Sequence, residues 1–330
     1  MLRLQDAVDA LLEGSLVPSF TRLGYDVRSV LEHWTPLSAY DLRGRVMLLT
    51  GATSGLGLAA AEALARAGAT LILLGRDVAK TERVRGELVE RTGNDRLSTV
   101  IADMGDQGAV RRAADEVLSS HDALHVVAHN AGALHATRRI APNGTEETVA
   151  SQVLGPFLLT GLLLARLRAS APARVITMSS GGMYVTGLTV EHLEMGDDYR
   201  GAEQYARAKR AQVTLNEIWA QRFAGSGVVF HALHPGWALT PGVETSLPTF
   251  RRIVGPLLRT PAQGADTLVW LAADDGEPLA TNGRFWLDRR VRSIHKLPTT
   301  RRTDTAERRA ELWAWCIDRT GLDPAARESA

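Results

Sequence analysis

Short apolar runs alternate with longer helical stretches along the chain from residue 45 onward. The runs are continuously apolar, which is typical of strands that helices cover on both faces of a sheet. Repeated strand, helix, strand units of this length predict a parallel sheet. The predicted strands are RVMLLT (45–50), TLILLG (70–75), LSTVIAD (97–103), LHVVAHN (124–130), RVITMSS (174–180) and VVFHALHPG (228–236), with 284–288 as a seventh candidate.

No repeat, low-complexity tract or Pro/Gly-rich linker divides residues 45–290. We therefore predict an α/β fold, with one Rossmann-type, doubly wound parallel sheet of about seven strands and helices on both faces. Helical extensions flank this single domain. The predicted boundaries are 1–40 for the N-terminal helical extension, 41–295 for the central Rossmann domain and 296–330 for the C-terminal helical extension.

The N-terminal extension carries an apolar stripe at helical spacing that begins next to Pro18 and Ser19. Docking on the domain's own surface, a homodimer contact or a contact with a membrane surface would each cover such a stripe, and the sequence leaves all three open. A further packed helix is predicted at 304–319. The members of the stripe are Phe20, Leu23, Val27, Val30, Leu31 and Trp34.

Composition excludes several classes of function. The 330 residues are 45% hydrophobic and carry 38 basic and 37 acidic side chains, so the net charge of +1 gives no field that would attract nucleic acid. Cys316 is the only cysteine, which leaves neither a disulfide framework nor a cysteine-rich metal site, and no metal is expected. Three lysines accompany 35 arginines, a bias typical of GC-rich bacterial genomes.

Apolar segments near the N-terminus and in the middle of the chain are both interrupted. Asp6, Asp9 and Glu13 interrupt the first 16 residues, unlike the apolar core of a signal peptide. Thr160 and Gly161 interrupt the longest apolar stretch, 157–164, which is far shorter than the roughly 20 residues of a membrane span. We therefore expect a cytoplasmic protein without a transmembrane segment.

The first predicted strand ends in the turn TGATSGLG (50–57), which leads into an alanine-rich helix predicted over 58–67. Glycines let the backbone approach a pyrophosphate closely, and a helix N-terminus offers free N–H groups and the positive end of its dipole. The turn therefore predicts a dinucleotide site, although such turns also occur for conformational reasons alone. The predicted contacts are Thr50, Gly51, Thr53, Ser54, Gly55, Leu56 and Gly57.

The end of the second strand bears on the choice between NAD and NADP. An acidic residue at this tip would bind the ribose of NAD, but the tip is Gly75 and the next residue is Arg76, whose guanidinium could pair with a 2′-phosphate. Asp77 is a competing ribose contact, yet it also suits the N-cap of a helix predicted over 78–90. NADP is therefore favoured over NAD.

Two further strand ends carry candidate cofactor contacts. Asp103 is placed to accept a hydrogen bond from the adenine amino group and is followed by Met104, while Asn130, Ala131 and Gly132 follow the fourth strand. Each position is also compatible with a simple turn or strand-end role. Their order along the chain favours the cofactor site.

Tyr205 and Lys209 are four residues apart on a predicted helix, so both lie on one face. Free tyrosine titrates near pH 10, so proton transfer near neutral pH requires a pKa lower by about three units, or roughly 4 kcal/mol. A lysine ammonium and an oxidised nicotinamide can supply that stabilisation. Such pairs are common on surface helices, but a chain with three lysines rarely places one here by chance.

Five motifs in this order resemble the short-chain dehydrogenase/reductase family over residues 45–290. Four segments narrow the resemblance to one subfamily: SSGGM (179–183), HPGW (234–237), TPGV (240–243) and QGADT (263–267). The five motifs are the turn at 50–57, Asn130-Ala131-Gly132, Ser179-Ser180 after the fifth strand, Tyr205-x-x-x-Lys209, and Pro235-Gly236 with Thr240.

The resemblance implies a role for each motif. Ser180 would hold the substrate oxygen and Tyr205 would exchange its proton. Lys209 would bind the nicotinamide ribose and lower the pKa of Tyr205. The remaining implied cofactor contacts are Pro235 and Gly236, together with Thr240. Thr240 would hold the carboxamide of the nicotinamide. The implied reaction is NADP(H)-dependent hydride transfer between a carbonyl and an alcohol, with general acid catalysis.

Two positions depart from the family pattern. Gln152, assigned to the catalytic group, stands where the family has an asparagine that supports a water relay to the lysine, so proton supply is expected to follow a substituted route. His129 replaces the first asparagine of Asn-Asn-Ala-Gly and is expected to alter only hydrogen bonding at the strand end.

Gln152 also motivates an alternative function, an NADP(H)-binding sensor or scaffold with weak or no turnover. A sugar-nucleotide epimerase or dehydratase is a third candidate, although it usually has a different glycine spacing.

The segment between Ser180 and Tyr205 bears on the substrate. Its 24 residues exceed the family spacing of about a dozen and predict, with Trp237, an apolar pocket rim. A lipophilic ketone, aldehyde or alcohol is the expected small-molecule substrate. The predicted rim residues are Met183, Tyr184, Val185 and Trp237.

Overall fold

A computed structural model of the chain describes residues 4–239 and 254–322. At its centre lies one sheet in the order β3-β2-β1-β4-β5-β6-β7-β8. The first seven strands pair in parallel and β8 pairs antiparallel with β7, which confirms the predicted α/β fold. The strands are β1 Val46–Thr50, β2 Thr70–Gly75, β3 Leu97–Ile101, β4 Val126–His129, β5 Ala173–Met178, β6 Val228–Leu233, β7 Arg284–Leu287 and β8 Arg290–Val291.

The eighth strand was not predicted. It follows β7 through a two-residue turn at Asp288 and Arg289, both with φ of +55°. Such a turn is usually signalled by asparagine or glycine, and neither is present here.

Helices cover both faces of the sheet, as the continuously apolar strands predict. Leu48 of β1 faces a core formed with α6, α8 and α9, whereas Met47 and Leu49 face a core formed with α4, α5 and α10. The helices are α1 Leu4–Glu13, α2 Leu16–Phe20, α3 Arg22–Leu31, α4 Gly55–Arg66, α5 Val78–Thr92, α6 Gln107–Ser120, α7 Glu147–Val149, α8 Gly155–Ala169, α9 Gly201–Arg222, α10 Pro261–Ala273, α11 Glu277–Ala280, α12 Pro298–Thr303 and α13 Ala306–Thr320.

The strand order reverses at β1, which lies between β2 and β4. In open parallel sheets the crevice at the carboxyl ends of such strands is the usual ligand site. The turn at 50–57 and the segment 130–132 both leave strands at this point.

A continuous helical stretch from Glu147 to Ala169 is long and apolar enough to cross a membrane, but 83% of that apolar window is buried inside the fold. Phe157 packs on Trp219 of α9 and on Trp313 of α13, with ring centroids 5.3 and 5.0 Å apart. The stretch therefore serves as a core helix of the domain. The same aromatic contacts join the C-terminal helix, predicted at 304–319, to this core.

The N-terminal extension differs from its prediction. It contains three helices, because α2 ends at Phe20 and α3 starts at Arg22. Phe20 of the predicted stripe is buried, but Leu23 and Val30 are 51% and 70% exposed. The buried face of α3 is centred instead on Gly24 and Arg28. The predicted boundaries of the N-terminal extension, the central domain and the C-terminal extension remain predictions.

A buried ionic cluster holds this extension to the end of the sheet. Asp288 is 1% exposed and binds Arg28 at 2.6 Å and Arg259 at 2.5 Å. Arg28 also binds Asp9 of α1 at 2.7 Å. Burial by itself would raise the pKa of Asp288, but the two guanidinium groups outweigh it and lower the pKa. The extension is therefore attached mainly through charges that apolar periodicity does not reveal.

Asp288→Ala should lower the free energy of unfolding by about 3–5 kcal/mol, because it leaves the buried Arg259 guanidinium without a carboxylate among the described residues and takes from Arg28 one of the carboxylates that it pairs with. Because the pKa of Asp288 is lowered on folding, this stabilisation is present above the ordinary carboxyl pKa of about 4 and is lost as the pH falls further. Urea unfolding at neutral pH measures the effect. Asp41→Asn, in an exposed pair with Arg43, is the control. Equal midpoints for the two variants would contradict the assignment.

Candidate active site

One cleft of about 680 Å³ at the carboxyl ends of the strands contains most of the predicted site. Thr50 and Gln152 lie behind its wall, and Thr240 lies outside the described residues. The predicted residues that line the cleft are Gly51, Thr53, Ser54, Gly55, Leu56, Gly57, Arg76, Asp103, Met104, Asn130, Ala131, Gly132, Ser180, Tyr205, Lys209, Pro235 and Gly236.

The glycine turn brings α4 very close to the end of β1. Gly51 and Gly55 have φ of +68° and +54°, a conformation that glycine adopts without strain. A Cβ on Gly57 would lie 2.1 Å from the carbonyl oxygen of Gly51 and 2.5 Å from Nδ2 of Asn130. The N-cap Ser54 makes no side-chain capping bond. The first N–H groups of α4 therefore remain available, which fits a bound pyrophosphate.

Thr50 and Asn130 connect this turn to the end of β4. The Thr50 hydroxyl accepts hydrogen bonds from the N–H groups of Asn130 and Ala131, both at 3.0 Å. Nδ2 of Asn130 donates to the carbonyls of Thr50 at 3.1 Å and Gly51 at 3.2 Å. Thr50 is therefore a buried support, whereas Asn130 both supports the turn and lines the cleft.

Two cations line the cleft beside the end of β2. Arg76 is exposed, and neither its guanidinium nor the Lys80 ammonium forms a hydrogen bond or ion pair within residues 4–239 and 254–322. Asp77 caps α5 by accepting from the Lys80 N–H at 2.8 Å, as predicted. Sequence reasoning missed Lys80, although its place four residues after Arg76 on the edge of a helix was a usable signal.

The end of β2 excludes a side chain. A Cβ on Gly75 would lie 2.2 Å from Oγ1 of Thr81 and 3.2 Å from Cγ2 of Thr53. An acidic residue at this tip would therefore not fit. At the next strand, Asp103 is exposed and accepts a hydrogen bond from the Gly105 N–H at 2.8 Å.

Ser180, Tyr205 and Lys209 meet at the other end of the cleft. Ser180 is the second residue after β5 and caps a 3₁₀ turn, Gly181–Tyr184, by accepting from the Gly182 N–H at 3.3 Å. Lys209 lies one turn after Tyr205 on α9, with Nζ 5.3 Å from the phenol ring centroid. Its ammonium donates to the Met178 carbonyl at 3.0 Å. Ser179 instead donates to the Lys209 carbonyl at 3.2 Å, which makes it a structural residue.

The electrostatics of these groups differ from the expectation of a lowered phenol pKa. Burial raises the pKa of Tyr205, and a hydrogen bond with Ser180 opposes that shift without reversing it. Burial lowers the pKa of Lys209 to about 7. Burial therefore disfavours the charged form of both side chains, and an additional positive field beside them would favour the phenolate.

Gln152 lies in a π-helical turn, Ala150–Leu154, so the irregular helix persists without the family asparagine. Its Nε2 donates to the Ala133 carbonyl at 2.7 Å. Its Oε1 and the Nζ of Lys209 lie 2.9 and 3.4 Å from the point where a Cβ on Gly132 would stand. The Gln152 amide oxygen and the Lys209 ammonium are therefore neighbours without a direct hydrogen bond. The missing side chain of Gly132 leaves the space between them.

His129 forms the strand-end hydrogen bond expected of it. Its Nε2 lies 2.7 Å from Oγ1 of Thr160 on α8. Burial lowers the pKa of His129 to about 3, so the ring is neutral at physiological pH.

The predicted pocket rim is correct only in part. Val185 and Trp237 line the cleft, and Val185 is 70% exposed. Met183 and Tyr184 are 0% and 6% exposed and pack in a core with Phe20, so their assignment to the rim was wrong. The 3₁₀ turn after Ser180 points them inward, which periodicity could not reveal. His234 also lines the cleft and was not predicted.

Comparison with known proteins places this site in a family. The short chain dehydrogenase family model matches residues 45–249, so the chain belongs to the short-chain dehydrogenase/reductase family. It is therefore an oxidoreductase that acts on CH–OH or C=O groups of small molecules and binds NAD(P).

Individual relatives agree with this class. Human dehydrogenase/reductase SDR family member 12 is 37% identical over 293 residues, which cover 87% of this chain and 90% of the relative. This is the subfamily that the four sequence segments indicate. Retinol dehydrogenase 12 from Bos taurus is 34% identical, with 86% and 88% of the two chains covered. A short chain dehydrogenase from Escherichia coli CFT073, solved with NADPH, has a TM-score of 0.63 at 25% identity and covers 78% of this chain and all of that chain.

Gly57→Ala should weaken NADPH binding at least tenfold, because the added methyl would collide with the backbone of Gly51 and push α4 away from the turn. NADPH fluorescence titration measures the affinity, and circular dichroism verifies the fold. Gly86→Ala is the control, since a Cβ on this α5 residue meets nothing within 4 Å. An affinity within twofold of the parent would refute the close contact as a requirement.

Proposed function

We propose that the chain is an NADP(H)-dependent dehydrogenase/reductase that interconverts a carbonyl and an alcohol, with Tyr205 as general acid/base. The observation that carries the proposal is the meeting of Ser180, Tyr205 and Lys209 at one end of a cleft whose other end is a glycine turn with free helix N–H groups. Ser180 Oγ and Tyr205 Cδ1 each lie 3.8 Å from the point where a Cβ on Gly182 would stand, so the serine hydroxyl and the phenol ring are neighbours.

Each side chain has a separate task in the proposed reduction. The Ser180 hydroxyl donates to the substrate oxygen and orients it towards Tyr205. The Tyr205 hydroxyl gives its proton to that oxygen as charge develops there. Lys209, buried and 5.3 Å from the phenol ring, favours the phenolate when its amine is charged. A nicotinamide held in the cleft would supply the hydride and, once oxidised, a positive charge that would lower the phenol pKa.

The preference for NADP rests on charge at the adenosine end. Arg76 and Lys80 lie there without carboxylate partners among the described residues, so a 2′-phosphate would be their counter-ion. Asp77 is engaged in capping α5 and Gly75 leaves no room for an acidic side chain. The NADPH bound in the Escherichia coli neighbour supports the same choice.

A lipophilic carbonyl or alcohol remains the proposed substrate. Val185 and Trp237 give the mouth of the cleft an apolar edge beside Ser180. Relatives named as retinol dehydrogenases support this class of substrate. A cytoplasmic location remains a proposal that rests on composition. A homodimer is also a proposal, in which the partner would cover the exposed Leu23 and Val30 of α3.

Tyr205→Phe should abolish reduction of all-trans-retinal and decanal while NADPH still binds, because the ring is kept and only the proton-bearing oxygen is lost. NADPH consumption gives the turnover and NADPH fluorescence the affinity. Activity of the variant within tenfold of the parent would remove Tyr205 from the proposed role. A parent protein that binds NADPH and reduces no member of a broad carbonyl panel would favour the alternative function, an NADP(H)-binding sensor or scaffold. Gln152 and the raised pKa of Tyr205 are the observations that support this alternative.

Arg76→Ala should weaken NADPH binding at least tenfold and NADH binding less than twofold, because only NADPH carries the 2′-phosphate. Lys80→Ala should act in the same direction. Arg83→Ala is the matched control, since this exposed arginine of α5 pairs with Glu87 away from the cleft. Equal losses of affinity for NADPH and NADH would show that Arg76 does not contact the 2′-phosphate and would remove the argument for a preference for NADP.

A further inference from the structure

The N-terminal extension reaches the cleft at Phe20, the last residue of α2. Its ring lies edge-on to His234 and Trp237, with centroids 4.5 and 5.7 Å apart. Its carbonyl accepts a hydrogen bond from the Trp237 N–H at 2.7 Å. Because both partners line the cleft, a residue outside the matched segment 45–249 supports the cleft wall.

His234 also touches the turn that carries Ser180. A Cβ on Gly181 would lie 2.9 Å from Nε2 of His234, closer than real contacts of this kind. Gly181 does not have a positive φ, so the imidazole and not the backbone conformation requires glycine here. Gly181 follows Ser180 directly. The imidazole therefore sets how closely the turn approaches β6.

Packing alone holds the His234 side chain. The residue is 3% exposed, and neither ring nitrogen has a hydrogen-bond partner among the described residues. Burial lowers the pKa of His234 to about 3, so the ring is neutral at physiological pH. The charges of Arg259 and Lys296 lower the pKa as well, and only Asp288 opposes them. The ring position therefore depends on the space that Phe20 and Gly181 leave between them.

The backbone on both sides of Phe20 is anchored. The Ser19 carbonyl accepts from Arg28 at 3.1 Å and from Arg259 at 3.0 Å. The Thr21 carbonyl accepts from Nε of Arg259 at 3.2 Å. Both guanidinium groups bind the buried Asp288. Phe20 can therefore act as a fixed support for the imidazole.

We propose that Phe20 and His234 are positioning residues for Ser180, through which the N-terminal extension holds the serine hydroxyl in register with Tyr205. Ser180 Oγ and Tyr205 Cδ1 each lie 3.8 Å from the point where a Cβ on Gly182 would stand, so a shift of the turn changes the distance between hydroxyl and phenol. The proposal rests on the role proposed above for Ser180.

A double-mutant cycle on Gly181→Ala and His234→Ala tests the contact directly. In the parent background, Gly181→Ala should lower kcat for all-trans-retinal at least tenfold, because the methyl collides with the imidazole and displaces Ser180. In the His234→Ala background the same change should cost less than twofold, since the obstacle is gone. NADPH affinity should stay within twofold in all four proteins. An equal cost of Gly181→Ala in both backgrounds would overturn the proposal.

Phe20→Ala tests the link to the extension. It should lower kcat about tenfold and leave NADPH affinity unchanged, because His234 loses its support while the glycine turn is untouched. Phe20→Leu should recover part of the loss and provides a folded variant if Phe20→Ala does not fold. Val30→Ala, at an exposed position of α3, is the control. A folded Phe20→Ala with parental kcat would refute the role of Phe20.

Ser180→Ala separates this inference from the proposed function. If Ser180→Ala keeps parental turnover, the proposed role of the serine fails and the positioning role fails with it. If Ser180→Ala is inactive while the cycle shows no coupling and Phe20→Ala is unaffected, only the positioning role fails.

Discussion

The cleft depends on one close contact, the approach of α4 to the end of β1 at Gly57. There is no space for a Cβ between this residue and the Gly51 carbonyl. The Asn130 side-chain amide donates to the carbonyls of Thr50 and Gly51. The Thr50 hydroxyl accepts hydrogen bonds from the two backbone N–H groups that follow β4. The ends of two strands thus share one hydrogen-bond network, and α4 packs directly against it at Gly57. This arrangement sets the free N–H groups of α4 in a defined relation to the loop that passes Gly132.

The substrate side is held by different forces. Lys209 reaches across from α9 to the Met178 carbonyl, so this helix is tied to β5 by a buried ammonium. Beyond it, Arg28 and Arg259 converge on the carboxylate of Asp288 and hold the N-terminal extension against the turn between β7 and β8. The cofactor half is therefore built by tight backbone contact, and the other half by long side chains that pair across distant parts of the chain.

This division explains what could be predicted from the sequence. Continuous apolar runs, the glycine turn and the Tyr205–Lys209 spacing are local patterns, and each has the structure expected of it. Strand β8 has no turn signal, since non-glycine residues adopt a positive φ at Asp288 and Arg289. The burial of Arg28 depends on a partner 260 residues away. The inward direction of Met183 likewise follows from a 3₁₀ turn that hydrophobic periodicity does not encode. Features encoded by neighbouring residues could therefore be predicted from the sequence, whereas ion pairs between residues far apart in the chain could not.

The long separation between Arg28 and Asp288 also orders events during synthesis on the ribosome. The extension emerges first, but its buried carboxylate partner follows 260 residues later. At about 5–20 residues per second, that interval lasts on the order of 10–50 s. In the meantime the glycine turn and most of the parallel sheet already have the residues that they need. The half of the cleft that binds the dinucleotide can thus assemble while the nascent chain is still growing, whereas the wall behind Ser180 is completed only when translation has passed β7.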